Sequence, residues 1–200
     1  DQTATSFDPG TLAYGTTYYW QISATDQNHV TTVGPIWQFT TAATSSTALQ
    51  PARIDFYGTR TCGINGSGGA MCWGSNSNGL LGDGTNNNST VPVNVSGLTS
   101  GITSISIGMI HACALTESAG VMCWGQKLVL GNGFIGVGYQ YTPIPSTSLT
   151  SGVNAIAVGD GDSCALNSSG GVKCWGSNTN GEVGNGTTST VQSPVSVIGL

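Results

Sequence analysis

Four Lys and Arg against nine Asp and Glu give these 200 residues a net charge of −5, and 31 glycines accompany that sparse charge. So few basic groups argue against a nucleic-acid partner, because neutralising phosphates takes clustered Lys and Arg. No apolar run approaches the ~18 residues of a membrane span and no segment keeps a helical period, so the composition describes an all-β protein of short strands between Gly, Asn, Ser and Thr turns.

Residues 1–42 read as the end of a β-sandwich module. The stretch from Thr11 to Asp26 gives a turn and then an alternating strand, with Tyr18, Trp20, Ile22 and Ala24 on one face. Residues Gly34 to Thr41 give a closing strand. The Leu12-x-x-Gly15-Thr16-x-Tyr18 turn and the Trp37-x-Phe39-Thr40-Thr41 strand resemble the C-terminal part of a fibronectin type III domain. The resemblance implies a sandwich of roughly a hundred residues. Only its last strands are here, so another segment or chain is expected to complete the exposed edge. The first residue already lies inside this module, and the chain is expected to be a slice of a longer protein. Residues 43–51, within the small-residue stretch from Thr41 to Pro51, read as a linker.

From residue 52 onward one pattern occurs three times. Cys62, Cys113 and Cys164 are 51 residues apart in turn, and so are Cys72, Cys123 and Cys174, Trp73, Trp124 and Trp175, and Pro92, Pro143 and Pro194. A repeat of this length marks a propeller or an array. The third copy is the clearest. Val153 to Gly159 is a strand, Ser163–Leu166 and Val172–Trp175 form a hairpin, Gly176 to Gly186 is a turn-rich excursion, and Ser193–Val197 closes the unit. Four short strands suit one propeller blade, which predicts three blades at about 52–100, 101–151 and 152–200. The fold class is therefore all-β: a partial β-propeller after an incomplete fibronectin-like sandwich. The second copy departs locally. Its Leu130-Gly131-Asn132-Gly133 arrives early and the run from Phe134 to Tyr141 is longer, yet Pro143 restores the register.

The order Val-x-x-Ile-x-x-Gly, Cys-Ala-Leu, Gly-Val-x-Cys-Trp-Gly and Asn-Gly-x-x-Gly-x-Gly resembles the regulator-of-chromosome-condensation repeat, and the two cysteines resemble those of its secreted bacterial branch. The resemblance implies a seven-bladed propeller that recognises partners through loops on one rim. Three repeats are fewer than half such a ring.

Six evenly paired cysteines point to an oxidising compartment. If Cys164 faces Cys174, then Ala165 faces Lys173 and Leu166 faces Val172, and the other copies fall into the same register. Directly opposed antiparallel residues stand roughly 4.5–5.5 Å apart at Cα, within disulfide range. The pairs Cys62–Cys72, Cys113–Cys123 and Cys164–Cys174 are predicted. Zinc is the competing reading, and the spacing lacks the knuckles or histidines that structural zinc uses. Trp73, Trp124 and Trp175 recur in every copy, which favours packing between blades over carbohydrate stacking.

His29 and His111 are the only histidines, and His111 occupies a slot filled by Arg60 and Asp162 in the other copies. Neither this pattern nor any motif in the chain suggests catalysis, a cofactor or a metal; Asp160-Gly161-Asp162 reads as a polar turn rather than a calcium loop. Asn-x-Ser/Thr sequons such as Asn88-Ser89-Thr90 leave glycosylation open. The reading is a non-catalytic structural, adhesive or protein-recognition module of a bacterial secreted or surface protein, extracellular, with a protein or glycan partner and self-association also in view. Candidate binding residues lie in the most individual loops: Asp83, Asn86, Lys127, Phe134, Tyr139 and Tyr141. Alternatives are a filament subunit completed by neighbouring chains, an accessory module of a secreted polysaccharide-degrading enzyme, and an inhibitor of an extracellular enzyme.

Overall fold

The computed structural model describes residues 12–13, 16–41 and 54–200. The chain divides into two compact units, Asp1–Gln50 and Pro51–Leu200.

Within the first unit the described strands are β1 (Thr17–Thr25) and β2 (Thr31–Thr40), an antiparallel hairpin. Asp26 Oδ1 accepts from the backbone of Asn28 and Val30 to close the turn. Tyr18 stacks on Phe39 and Trp20 on Trp37, with ring centroids 5.7 and 4.6 Å apart. The register slips opposite Gly34-Pro35, where proline has no N–H to give a ladder.

The second unit is three four-stranded antiparallel sheets, each a meander in chain order. The first blade holds β3 (Ile54–Tyr57), β4 (Arg60–Ile64), β5 (Ala70–Gly74) and β6 (Ser89–Asn94). The second holds β7 (Ile102–Ile107), β8 (His111–Thr116), β9 (Val121–Gln126) and β10 (Tyr139–Pro145). The third holds β11 (Val153–Val158), β12 (Asp162–Asn167), β13 (Val172–Gly176) and β14 (Val191–Ser196). Cys62 faces Cys72, Cys113 faces Cys123 and Cys164 faces Cys174, and each pair is joined by a disulfide with Cα atoms 4.0–4.1 Å apart.

The middle hairpins turn on an Asx device. Asn65 Oδ1 and Asn167 Oδ1 each accept from the backbone two and four residues on, and Gly68 and Gly170 supply the left-handed residue. The second blade makes the same turn with Thr116 and with Ala119 at φ 59°.

The apolar cores lie between blades. A pleated strand sends alternate side chains to opposite faces, and each blade uses both. The face carrying the disulfide looks toward the following blade; the face carrying the tryptophan looks back. Cys62, Cys72 and Leu81 thus pack with Ile105, Ala112 and Trp124, and Cys113, Cys123 and Leu130 pack with Ala165 and Trp175. At the innermost strands, Asp55 Oδ2 accepts from Ser106 Oγ (3.1 Å) and the Ile107 amide (2.9 Å), and Ser106 Oγ accepts in turn from the Val158 amide.

Candidate recognition surface

Each blade has an excursion between its third and fourth strands, and in the first two blades it passes over the edge of the next. Its apolar foot is Leu81, Leu130 or Val183, each fully buried. The glycine after it, Gly82 or Gly131, sits where a Cβ would come within 2.9 Å of the next blade's indole nitrogen. That close approach lets Trp124 Nε1 donate to the Leu80 carbonyl (2.9 Å) and Trp175 Nε1 to the Val129 carbonyl (3.0 Å). Two residues further along, the amides of Gly84 and Gly133 donate to the carbonyls of Tyr141 and Gln192 on the following blade's outer strand. Trp124 and Trp175 are fully buried by these contacts, whereas Trp73, with no described blade behind it, is half-buried.

In the first and third blades the excursion is organised by an asparagine that sequence reading passed over. Asn76 is fully buried; its Oδ1 accepts from the Leu81 amide and its Nδ2 reaches Asp83 Oδ1 and the Thr85 carbonyl. Asn178 does the same with the Val183 amide and the carbonyls of Thr187 and Ser189. The signal was present as Trp-Gly-Ser-Asn in both copies, against Trp-Gly-Gln-Lys in the second. Lys127, in that asparagine's place, has no acceptor to offer the backbone. The second excursion instead makes a short 3-10 turn over Lys127–Val129 and reaches its apolar foot two residues sooner. The residues released lengthen the outer part, whose tip carries Phe134, Ile135 and Val137 at 40, 86 and 96% exposure.

The six candidate binding residues therefore separate by role. Asp83 is occupied within its own loop, accepting from Asn76 and Thr85. Tyr141 packs its ring against Gly79 of the preceding blade, where a Cβ would lie 2.1 Å from its Cδ1. Both hold the fold. Asn86 is exposed. Lys127 holds its ammonium 5.4 Å from the Phe134 ring centroid, and Phe134 and Tyr139 are exposed beside it.

Next to this loop, between the second and third blades, is a cleft of about 360 Å³ lined by Ile110, Gln126, Leu128, Asp160, Asp162 and Glu182 among others. Burial, followed by the nearby charge of Glu182, raises the pKa of Asp162. Backbone amides, its own first, hold Glu182 below the usual carboxylate range. Tyr57 of the first blade donates its hydroxyl to Asp160 (2.5 Å), and Arg60 donates to the Met109 carbonyl, so the same rim ties all three blades together. No group of three or more His, Cys, Asp or Glu among the described residues is arranged to hold a metal. His111 is buried in the seam with Ser163 as its one side-chain partner among the described residues.

The family model described as Regulator of chromosome condensation (RCC1) repeat matches residues 67–115, and a second model of that description matches residues 153–182. The chain carries RCC1 repeats. The first match runs from the middle hairpin of one blade into β8 of the next, so the sequence unit straddles the seam described above. Human E3 ubiquitin-protein ligase HERC2 is 31% identical over 149 residues, which are 70% of this chain and 3% of that protein. The Ultraviolet-B receptor UVR8 of Arabidopsis thaliana is 33% identical over 128 residues, 61% of this chain and 29% of the receptor. The chain thus spans a third or less of the length of these relatives. Among solved structures, human WBSCR16 superposes with a TM-score of 0.64 at 24% identity, covering 74% of this chain and 40% of that one. Prp20p of Saccharomyces cerevisiae gives 0.63 at 16% identity, covering 72% and 37%. These two likenesses show a shared fold, and together with the repeat matches they make the three sheets RCC1-type propeller blades. No helix among the described residues is long and apolar enough to cross a membrane.

Proposed function

We propose that this chain is a non-catalytic protein-recognition module of a secreted or cell-surface protein, and that it meets its partner through the second-blade loop from Gln126 to Tyr141. One observation carries the reading: the only one of the three blades without the buried asparagine is the one that projects an apolar tip. Ile135 and Val137 are almost wholly in water, at a cost in solubility that a contact surface accounts for. The base of the tip is fixed, because the Gly133 amide donates to the Gln192 carbonyl and the Lys127 amide to the Gly138 carbonyl. A loop held in this way loses little entropy when a partner docks on it.

The relatives support the binding class. The Prp20p structure is described for its binding properties to Gsp1p and histones. Three disulfides support an oxidising, extracellular setting. The aromatic hairpin of residues 16–41 is read as the closing part of a fibronectin-like module placed before the blades. The test is affinity capture from the extracellular fraction by the intact chain, compared with an Ile135→Ser/Val137→Ser variant of unchanged melting temperature. Loss of a specific protein in the variant is the expected result. Equal capture by both, or binding confined to a glycan array, overturns the proposal.

A further inference from the structure

Along the chain no Asp or Glu falls between Glu117 and Asp160, and Lys127 is the one Lys or Arg in that span. The second-blade loop is therefore a stretch of a single sign in a chain whose net charge is −5. The fold makes no use of that charge. The Lys127 amide anchors the loop by donating to the Gly138 carbonyl, but its ammonium has no carboxylate partner among the described residues. It lies 5.4 Å from the centroid of the Phe134 ring, on the same loop as the exposed Ile135 and Val137. Asp160, Asp162 and Glu182 line the cleft on the side of Leu128, and none of them pairs with Lys127. At the same position in the other blades Asn76 and Asn178 are neutral and wholly buried, so the repeat itself calls for no charge there. The tip stands out from a blade that is packed on both sides: Gly84 of the first blade donates to the Tyr141 carbonyl, and Gly133 donates to the Gln192 carbonyl of the third.

This placement limits what can cover the tip. A surface that closes over Phe134, Ile135 and Val137 also strips water from the ammonium beside the ring, and a charge buried without a partner is strongly unfavourable. We infer that the protein partner receiving this loop holds an Asp or Glu carboxylate beside its apolar pocket, placed to accept from Lys127 Nζ. The inference rests on the recognition reading proposed above and adds the chemistry of the other side. The two parts of the contact do different things. Apolar side chains supply area and accept many apolar partners, whereas the ion pair sets the orientation of the partner and rejects one that presents a Lys or Arg at that point.

Lys127 and Lys173 are the only lysines in the 200 residues, which makes the contact readable by zero-length cross-linking. The intact chain, bound to protein from the extracellular fraction, is treated with a carbodiimide, which joins a lysine amine to a carboxylate with loss of water. The expected product is an amide between Lys127 and an Asp or Glu of the captured protein. Binding of that protein, once purified, then weakens on the order of tenfold in Lys127→Met, which keeps the length of the side chain without its charge. The weakening of wild-type binding by salt is correspondingly reduced in the variant. Equal or tighter binding by Lys127→Met overturns the inference, because removing an ammonium that has no partner helps docking. A cross-link formed only at other amines of the chain overturns it as well. The recognition reading fails on a different result, an Ile135→Ser/Val137→Ser variant that binds as well as the wild type, and capture of no protein at all overturns both.

Discussion

His111 Nε2 lies 2.5 Å from Ser163 Oγ across the seam between the second and third blades, and no other side chain among the described residues bonds the ring. Nδ1 is buried without a partner, so the imidazole gains nothing there to offset the loss of water around a charge. Burial holds its pKa down to about 4, against 6.5 for the free side chain.

The unfolded chain therefore binds a proton at His111 over a pH range in which the folded chain does not. Stability is whole above about pH 6.5, falls as the pH drops toward about 4, and loses nothing further to this group below that; the integrated loss is about 3 kcal/mol. Urea unfolding of the wild type at successive pH values should show this slope, and His111→Gln should flatten it. A variant with an unchanged slope would remove His111 as its source.

The three tryptophans occupy one sequence position and do different amounts of structural work. Trp124→Phe leaves the Leu80 carbonyl without its donor in a dry seam and opens a small cavity, costing roughly 2–3 kcal/mol. Trp73→Phe removes an indole with no such acceptor and costs the isolated molecule under about 1 kcal/mol. Chemical denaturation at low protein concentration compares them directly, and equal losses would contradict the seam geometry.

Ala119 takes a left-handed backbone, φ 59°, in the turn where the other blades have Gly68 and Gly170. A Cβ in that conformation costs roughly 1–2 kcal/mol, partly offset by the extra freedom glycine has when unfolded. Ala119→Gly is accordingly expected to raise stability by up to about 1 kcal/mol, seen as a higher denaturation midpoint at unchanged slope.

The buried asparagines give a sharper contrast. Asn178→Ala strips the third excursion of an acceptor for Val183 and a donor to two carbonyls, for a loss of about 2–3 kcal/mol. Lys127→Ala, at the equivalent place in the second blade, removes one exposed cation–π contact and shifts stability by less than about 1 kcal/mol. Paired unfolding curves read both.

Each disulfide closes a loop between cysteines ten apart in sequence, for which the loop-entropy model gives about 2–3 kcal/mol. Position adds a second component. Cys113 and Cys123 are fully buried in a seam, while Cys164 lies on the open face and is half-buried. Replacing the second-blade pair by serine therefore destabilises more than replacing the third-blade pair, because it also puts hydroxyls into an apolar contact. Reversal of that order in thermal melts would contradict the arrangement.

Whatever is local and repeated was legible in the residues alone. The 51-residue period set the number of blades, and the alternation around Cys62, Cys113 and Cys164 set strand, hairpin and register, because a pleated strand fixes which residues oppose and which share a face. The sequence also marked the second excursion as the odd one. The physical cause lay elsewhere: Asn76 and Asn178 look like ordinary turn residues until their burial and bonds to residues up to eleven positions away are seen. Only the packing of one blade on another settles what becomes of equivalent positions in different copies. Ile107 and Phe56, Trp124 and Trp73, Leu115 and Leu166 hold equivalent positions, yet one of each pair is packed and the other open. Burial is a relation between two blades and not a property of one, and for that reason the repeat could be read letter by letter without showing which of its faces are covered.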